Sequence, residues 1–239
     1  MLVGGSVVGI QSQKGLDTII FSNTWHMLES LHHPTNGSSS TSKTIQYNDN
    51  SRDTFTGYAL TSQDSQTASK MTDKDGNVHE NLERAKDGSQ KASKMTDQDG
   101  NVFENWRQDK AESQKASKRT NKDGTVYENW KVDKDGSQTA SEMTNKYGNV
   151  YENLEQDKDG RQKASKKTDQ YGTVFENWEG AKDGNKKASK RTDKDGTVFE
   201  NWEQDKDGSQ KASKMTDQDG NVFENWEQDK DGSQKASKM

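Results

Sequence analysis

A 24-residue period runs through most of this 239-residue chain and limits what the chain can fold into. The first residues of the seven full copies are Ser65, Ser89, Ser113, Ser137, Arg161, Asn185 and Ser209. An eighth copy begins at Ser233 and the sequence ends seven residues into it. A copy halves into two 12-residue stretches that share D-x-D-G at one offset, as in SQKASKMTDQDG and NVFENWEQDKDG. A short fixed period of this kind predicts a quasi-linear array in which each copy contacts its neighbours.

The composition argues against a conventional globular domain. Only 25% of the residues are hydrophobic, 31% are charged, and the mean hydropathy is −1.39. The 40 acidic and 35 basic residues alternate along the chain instead of forming a basic face, so nucleic acid is not expected as a partner. The chain has no cysteine, which excludes disulfides and thiolate metal sites.

The D-x-D-G motif predicts a tight turn between two strands. Aspartate at its first position can accept hydrogen bonds from the backbone ahead of it, and glycine at its fourth position tolerates a positive φ. The result is a three-residue hairpin loop with a bulge at the glycine. The glycines that we assign to the first turn of each copy are Gly76, Gly100, Gly124, Gly148, Gly172, Gly196 and Gly220.

Counting outward from the turn at residues 217–220 predicts the register of the hairpin. The predicted pairs are Thr216–Val222, Met215–Phe223, Lys214–Glu224, Ser213–Asn225, Ala212–Trp226 and Lys211–Glu227. Cross-strand pairs of opposite charge, or of an aromatic with an apolar side chain, contribute roughly 0.2–1 kcal/mol each. Two positions break the rule, since Arg107 faces lysines and Glu142 faces glutamates. Strict alternation along the strands predicts that the tryptophans and the phenylalanines lie on opposite faces, both of them wet.

These patterns predict an all-β fold, an extended and largely single-layer antiparallel meander of hairpins with two 12-residue strand-turn units per copy. A parallel β-solenoid and a disordered repeat are the alternatives. Residues 65–239 form the array, residues 41–64 are interpreted as a degenerate capping repeat, and residues 1–40 are an N-terminal segment with a Ser/Gly linker whose fold is not predicted. The apolar start is too short to span a bilayer, so no membrane insertion is expected, and the chain is interpreted as a fragment.

No catalytic constellation is predicted from the array. Carboxylates are abundant, but they recur from copy to copy opposite lysines, so no unique acid/base pair stands out. The Asp-rich turns raise the question of calcium, yet they lack the spacing of an EF-hand loop, and we interpret the aspartates as turn-forming residues. No cofactor is expected.

Tryptophan recurs once in most copies and is the candidate ligand-binding residue. If exposed, these side chains would form a ladder that stacks on sugar rings; the alternative is packing against neighbouring alanines. Leu82 and Leu154 at the equivalent positions favour packing, because leucine fills space but stacks poorly on a sugar. The candidate ladder consists of Trp106, Trp130, Trp178, Trp202 and Trp226.

The strand–turn–strand rhythm with one aromatic per hairpin, clearest in TDQYGTVFEN at residues 168–177, resembles several hairpin-repeat families. They are the YD repeats of Rhs-type bacterial surface proteins, MORN repeats, and choline- or glucan-binding repeats. The resemblance implies a non-catalytic array outside the cell or on its surface. We expect a scaffold that binds a protein or polysaccharide surface through multivalency, as a monomer or self-associating through sheet edges. A carbohydrate or cell-wall binding module, with or without calcium, is the alternative.

Overall fold

The computed structural model describes residues 6–13, 16–22, 28–32, 42–46, 52–60 and 65–238. All of them lie in strands, turns or connecting backbone, and within these ranges no helix is long and apolar enough to cross a membrane. Contacts divide the chain into two structural units, Met1–Ser117 and Lys118–Met239, which are described separately.

The first structural unit contains ten strands within its described residues. They are β1 Ser6–Gln13, β2 Leu16–Ser22, β3 Leu28–His32, β4 Ser42–Gln46, β5 Arg52–Thr56, β6 Ala59–Leu60, β7 Gln66–Thr72, β8 Val78–Arg84, β9 Gln90–Thr96 and β10 Val102–Gln108. Strands β1 to β5 pair antiparallel in chain order, β5 and β6 both pair with β7, and β7 to β10 continue the meander. The strand β11, Gln114–Thr120, spans the boundary between the units.

The second structural unit repeats the same element every 12 residues. Its strands are β12 Val126–Val132, β13 Gln138–Thr144, β14 Val150–Gln156, β15 Gln162–Thr168, β16 Val174–Gly180, β17 Lys186–Thr192, β18 Val198–Gln204, β19 Gln210–Thr216, β20 Val222–Gln228 and β21 Gln234–Lys238. Consecutive strands from β12 to β21 pair antiparallel. The all-β antiparallel meander predicted from the sequence is therefore confirmed.

The predicted turn is present in the hairpin of β19 and β20. The Asp217 N–H donates to the Asn221 carbonyl at 3.0 Å, and the Gly220 N–H donates to the Asp217 carbonyl at 3.0 Å. Asp217 Oδ1 accepts from the N–H groups of Asp219 and Asn221 at 3.0 and 2.8 Å. The seven first-turn glycines have φ between 83° and 93°. The strands are therefore held in register by the turn chemistry that the sequence carries.

The predicted register is confirmed for five of the six pairs between β19 and β20. Ser213 and Asn225 form the sixth predicted pair and are left out of the ladder. The like-charged contacts are present too, since Glu142 lies opposite both Glu128 and Glu152. The array tolerates these like-charged contacts because each exposed charge pair changes the stability by only a small amount.

The prediction that tryptophan and phenylalanine lie on opposite wet faces is wrong. In β18 both Phe199 and Trp202 are buried, while Glu200 and Asn201 between them are exposed. Asn201 has φ 51°, in the left-handed region, which breaks the two-residue alternation of the strand. Side chains three residues apart therefore share one face. The sheet has one buried face and one wet face.

The same left-handed asparagine recurs in every full copy. Asparagine tolerates this conformation better than other non-glycine residues because its short polar side chain can bond locally. In β18, Asn201 Nδ2 donates to Ser213 Oγ on the next strand at 2.9 Å, and Ser213 Oγ donates to the Glu200 carbonyl at 3.1 Å. The residues concerned, with φ between 49° and 51°, are Asn81, Asn105, Asn129, Asn153, Asn177, Asn201 and Asn225.

Candidate interaction surfaces

The five candidate tryptophans are buried, with exposed fractions between 2% and 5%. Trp202 shows why. Its indole lies opposite the small Ala188 on β17 and reaches across that strand to Phe175 on β16, with ring centroids 5.2 Å apart. Trp202 Nε1 donates to Gln210 Oε1 at 2.9 Å. The indole is thus packed against protein on one face of the sheet, and its N–H has a hydrogen-bond acceptor.

This contact repeats along the buried face. The aromatic pairs are His79–Trp106 at 5.2 Å, Tyr151–Trp178 at 5.2 Å, Phe175–Trp202 at 5.2 Å and Phe199–Trp226 at 4.8 Å. Stacking on a sugar requires an exposed ring face. The burial of these tryptophans removes the exposed faces on which the carbohydrate ladder hypothesis depends, and it gives each alanine opposite an indole a packing role.

Cations lie within this aromatic face at some positions that hold methionine in other copies. Arg191 stands 4.9 Å from the centroid of Phe199 and 5.3 Å from that of Trp202. Its guanidinium also forms two hydrogen bonds to the Asp193 carboxylate, at 2.7 and 2.9 Å. Such cation–π contacts replace methionine packing without opening the core. The sequence signal was present, since Arg and Lys replace Met opposite aromatic residues.

Lys167 occupies the same position on β15. Its Nζ lies 4.7 Å from the Trp178 ring centroid, 5.3 Å from that of Tyr151 and 5.4 Å from that of Phe175. Burial, together with the nearby Lys186 ammonium, lowers the pKa of Lys167 to about 8, while Asp169 opposes the shift. The aromatic surroundings thus hold a cation that is much easier to neutralise than an ordinary lysine.

The copy that begins at Arg161 departs from the others at the far end of its second strand. Gly180 stands where a larger side chain stands in the other copies, and the Trp178 indole lies over it, 2.5 Å from where a Cβ would be. Trp178 Nε1 has no hydrogen-bond partner within the described residues, because Lys186 replaces the glutamine that accepts from Trp202 and Trp106. An open cleft of about 360 Å³ beside Gly180 is lined mainly by charged side chains.

Those charges are paired across the strands. Glu179 lies 2.8 Å from Lys187 and 3.5 Å from Lys163. The same type of contact links Lys211 to Glu203 at 2.7 Å on the wet face. Exposed pairs of this kind contribute about 0–1 kcal/mol each, so their main effect is to present a repeated, charge-balanced surface.

The turn carboxylates serve the turns themselves. Asp73 Oδ1 accepts from the N–H groups of Asp75 and Asn77 at 3.0 and 2.9 Å, and Asp73 Oδ2 accepts from Asn77 Nδ2 at 2.8 Å. Within the described ranges no group of three or more His, Cys, Asp or Glu side chains is placed to hold a metal ion. The expectation that the chain holds no cofactor stays a prediction, with calcium at the turns as its alternative.

Two aromatic side chains are exposed in turns at one end of the strands of the second structural unit. Tyr147 and Tyr171 are 62% and 71% exposed and stand at the third position of successive first turns. Sequence reasoning concentrated on the tryptophans and missed this pair. The signal was available, because tyrosine in a turn is unsupported by strand packing and replaces an aspartate found in other copies.

Comparisons with known proteins do not name a relative. A scan against protein-family models finds no matching family, and a search of curated proteins finds no matching protein. The resemblance to YD, MORN and choline- or glucan-binding repeats therefore stays a prediction.

Proposed function

We propose that the chain is a non-enzymatic, repetitive β-scaffold of a surface or secreted protein, and that it mediates protein–protein or adhesive interactions by multivalency. The observation that carries the proposal is the repetition of one wet face. Lys211–Glu203 and Lys187–Glu179 present the same exposed pair, at 2.7 and 2.8 Å, one copy apart. A surface of many equal weak sites gains affinity from linkage rather than from any single contact.

The charge chemistry supports the non-enzymatic part of the proposal. An enzyme needs a few titratable groups whose surroundings separate them from the rest. The exposed charges instead repeat, since Lys214 and Lys190 lie 3.2 and 3.5 Å from Glu200 and Glu176 in the same pattern. The two buried groups with shifted pKa values, Lys167 and His79, belong to different structural units and each packs against aromatic rings. The proposed position at the cell surface or outside the cell rests on the resemblance to hairpin-repeat arrays of such proteins.

The experiment compares the full chain with a chain shortened to two copies on two probe surfaces. A film of mixed extracellular-matrix proteins and a film of neutral polysaccharide are prepared at equal density, and binding is followed by surface plasmon resonance. We expect the full chain to bind at least one film at least tenfold more tightly than the shortened chain, since linked sites raise the effective concentration.

The matched control removes one of the repeated contacts. Lys211→Ala should change binding less than twofold, because the same exposed pair recurs in other copies. Equal binding by two copies and by the full chain would reduce the array to a spacer. Loss of binding on one exposed substitution would replace multivalency by a single discrete site.

A further inference from the structure

The exposed tyrosines are not required by the fold. Tyr147 lies in the turn at residues 145–148 and Tyr171 in the turn at residues 169–172, where their N–H groups donate to Asn145 Oδ1 and Asp169 Oδ1 at 3.0 and 2.9 Å. Those bonds use only the backbone N–H of each tyrosine and not its ring. The same position in the other first turns holds an aspartate; these residues are Asp75, Asp99, Asp123, Asp195 and Asp219. Two large rings are therefore presented to solvent where the turn itself needs none.

The two tyrosine turns are fixed relative to each other. Asn149 Oδ1, at the end of the first turn, accepts from the Gln170 N–H in the second turn at 3.0 Å. The strands that carry them, β14 and β15, are direct neighbours in the sheet. Turns at the same end of the strands stand two strand spacings apart, which is about 9.4–9.8 Å. The backbone thus holds the two tyrosine positions at a fixed spacing along this end of the strands.

The spacing matches one type of extended peptide. A polyproline II helix has about three residues per turn and rises about 3.1 Å per residue, so prolines three residues apart recur about every 9.3 Å. Proline rings dock on exposed aromatic side chains in known recognition modes, and the preformed helix loses little entropy on binding. One face of Tyr147 is taken by Lys146, whose Nζ lies 5.1 Å from the ring centroid, so a ligand would use the other.

Charges flank the tyrosine pair at the same spacing. Asp123 and Asp195 hold the equivalent position in the turns on either side. Backbone hydrogen bonds from Thr125 and Thr197 lower the pKa of the two carboxyl groups, so both are negative at neutral pH. At the third turn position the order is anion, ring, ring, anion, while the second position of three of these turns holds Lys122, Lys146 and Lys194. The third-position order is complementary to cations placed three residues outside two prolines.

We propose that this end of the strands of the second structural unit binds a polyproline II segment of another protein with the pattern R-x-x-P-x-x-P-x-x-R. The tyrosine rings take the prolines, and Asp123 and Asp195 take the arginines. The inference goes beyond the proposed multivalent role and names the chemistry of a separate partner. It differs from the multivalent model because one pair of turns, rather than the number of copies, determines the binding.

The test uses the full chain and a fluorescein-labelled peptide, RAAPAAPAAR, in fluorescence polarisation. We expect saturable binding that weakens at least tenfold in the double variant Y147D/Y171D. Because aspartate holds this turn position in the other copies, the variant should fold, and circular dichroism checks that it does. A peptide with the prolines four residues apart should also bind at least tenfold more weakly, since one proline then misses its ring.

Two further variants sharpen the result. Lys146→Gln, which installs the residue found at Gln170, should tighten binding by freeing a face of Tyr147 and removing a cation. Asp219→Ala, in a turn outside the four, should leave binding unchanged. Absence of peptide binding, equal binding by Y147D/Y171D, or binding through the tyrosines of a neutral polysaccharide film in place of the peptide would overturn the proposal. Each of these results is independent of whether affinity rises with copy number.

Discussion

Glu112 stands at a turn position that glycine holds elsewhere and has φ 67°. Its N–H still donates to the Asp109 carbonyl at 3.0 Å, so the turn geometry is kept at a cost in backbone strain. Glu112→Gly should raise the free energy of unfolding by about 1 kcal/mol, because glycine adopts this conformation freely. Urea unfolding followed by circular dichroism measures the change.

The reverse substitution is the control. Gly88 holds the same turn position with φ 89°, and a Cβ built there meets nothing within 4 Å. Gly88→Glu should therefore lower the stability by a similar amount through φ alone. If Glu112→Gly left the stability unchanged, the turn would not be strained at this residue.

His79 replaces the phenylalanine or tyrosine of the other copies and is 5% exposed. It packs 5.2 Å from Trp106, and its Nε2 lies 3.6 Å from Asp73. Burial lowers the pKa of His79 from its usual 6.5, in spite of the opposing effect of Asp73. The folded state therefore prefers the neutral ring, and its contribution to stability is full above about pH 6.5 and is lost as the pH falls below it.

His79→Phe removes this proton linkage. The melting temperature of the wild-type chain should fall more between pH 7.5 and pH 5 than that of the variant, and scanning calorimetry at the two pH values measures both. Phenylalanine is already accommodated at Phe103, so the variant should keep the packing. An identical fall in both proteins would show that His79 is not coupled to folding.

At the scale of the strand, the left-handed asparagine determines which side chains share a face. Asn201→Ala removes both the residue that tolerates φ 51° and the bond to Ser213, and should cost about 2 kcal/mol. Asn201→Gly keeps the conformational freedom and loses only the bond, so it should cost about 1 kcal/mol less than the alanine variant. Chemical unfolding of both variants distinguishes conformation from hydrogen bonding; equal losses would mean that φ is unimportant.

Lys167 allows a test of whether a charge is buried among the aromatic rings around β15. Its pKa of about 8 in the folded chain lies below the ordinary 10.5, so the unfolded chain binds more protons between these values and stability rises with pH across that window. Lys167→Met, the residue present as Met143 in the preceding copy, should abolish this rise. At pH 7 the variant should be more stable by about 1 kcal/mol, because no charge is buried.

Urea unfolding at pH 7 and pH 10 measures this effect. Arg191→Met is the matched control, since Arg191 holds the same position in the next copy and bonds to Asp193 at 2.7 Å, and guanidinium groups in general stay protonated in proteins. The difference in stability between Lys167→Met and the wild type should shrink as the pH rises. The difference between Arg191→Met and the wild type should not shrink in this way. A pH dependence unaltered by Lys167→Met would contradict the burial of its charge.

The turns and register could be predicted because their determinants are local. Asp217 and Gly220 specify a loop of fixed length, and counting from it pairs Met215 with Phe223. The faces could not be predicted by alternation, because one residue in αL shifts every side chain after it. The recurrence of Asn201 at its position was visible in the sequence, but asparagine within a strand does not by itself indicate a positive φ.

At the scale of the whole chain, the buried face replaces a central core. In the second structural unit the buried cluster runs from Met143 to Trp226, and Trp178, Trp202 and Trp226 each contact a ring two strands earlier, as Trp226 contacts Phe199 at 4.8 Å. Each of these three tryptophans therefore needs the preceding copy to complete its packing. A polar sequence can fold in this way because a thin line of aromatic contacts is repeated along the sheet.

A nuclear Overhauser experiment on the full chain, with labelled phenylalanine and tryptophan rings, tests most directly whether the two ring types share one face. Because the pairs Phe175–Trp202 and Phe199–Trp226 share one geometry, with centroids 5.2 and 4.8 Å apart, overlapping signals reinforce each other. We expect strong cross-peaks between the two ring types, together with Hα–Hα cross-peaks of an antiparallel ladder. Antiparallel cross-peaks without contacts between the rings would place phenylalanine and tryptophan on opposite faces and contradict this expectation.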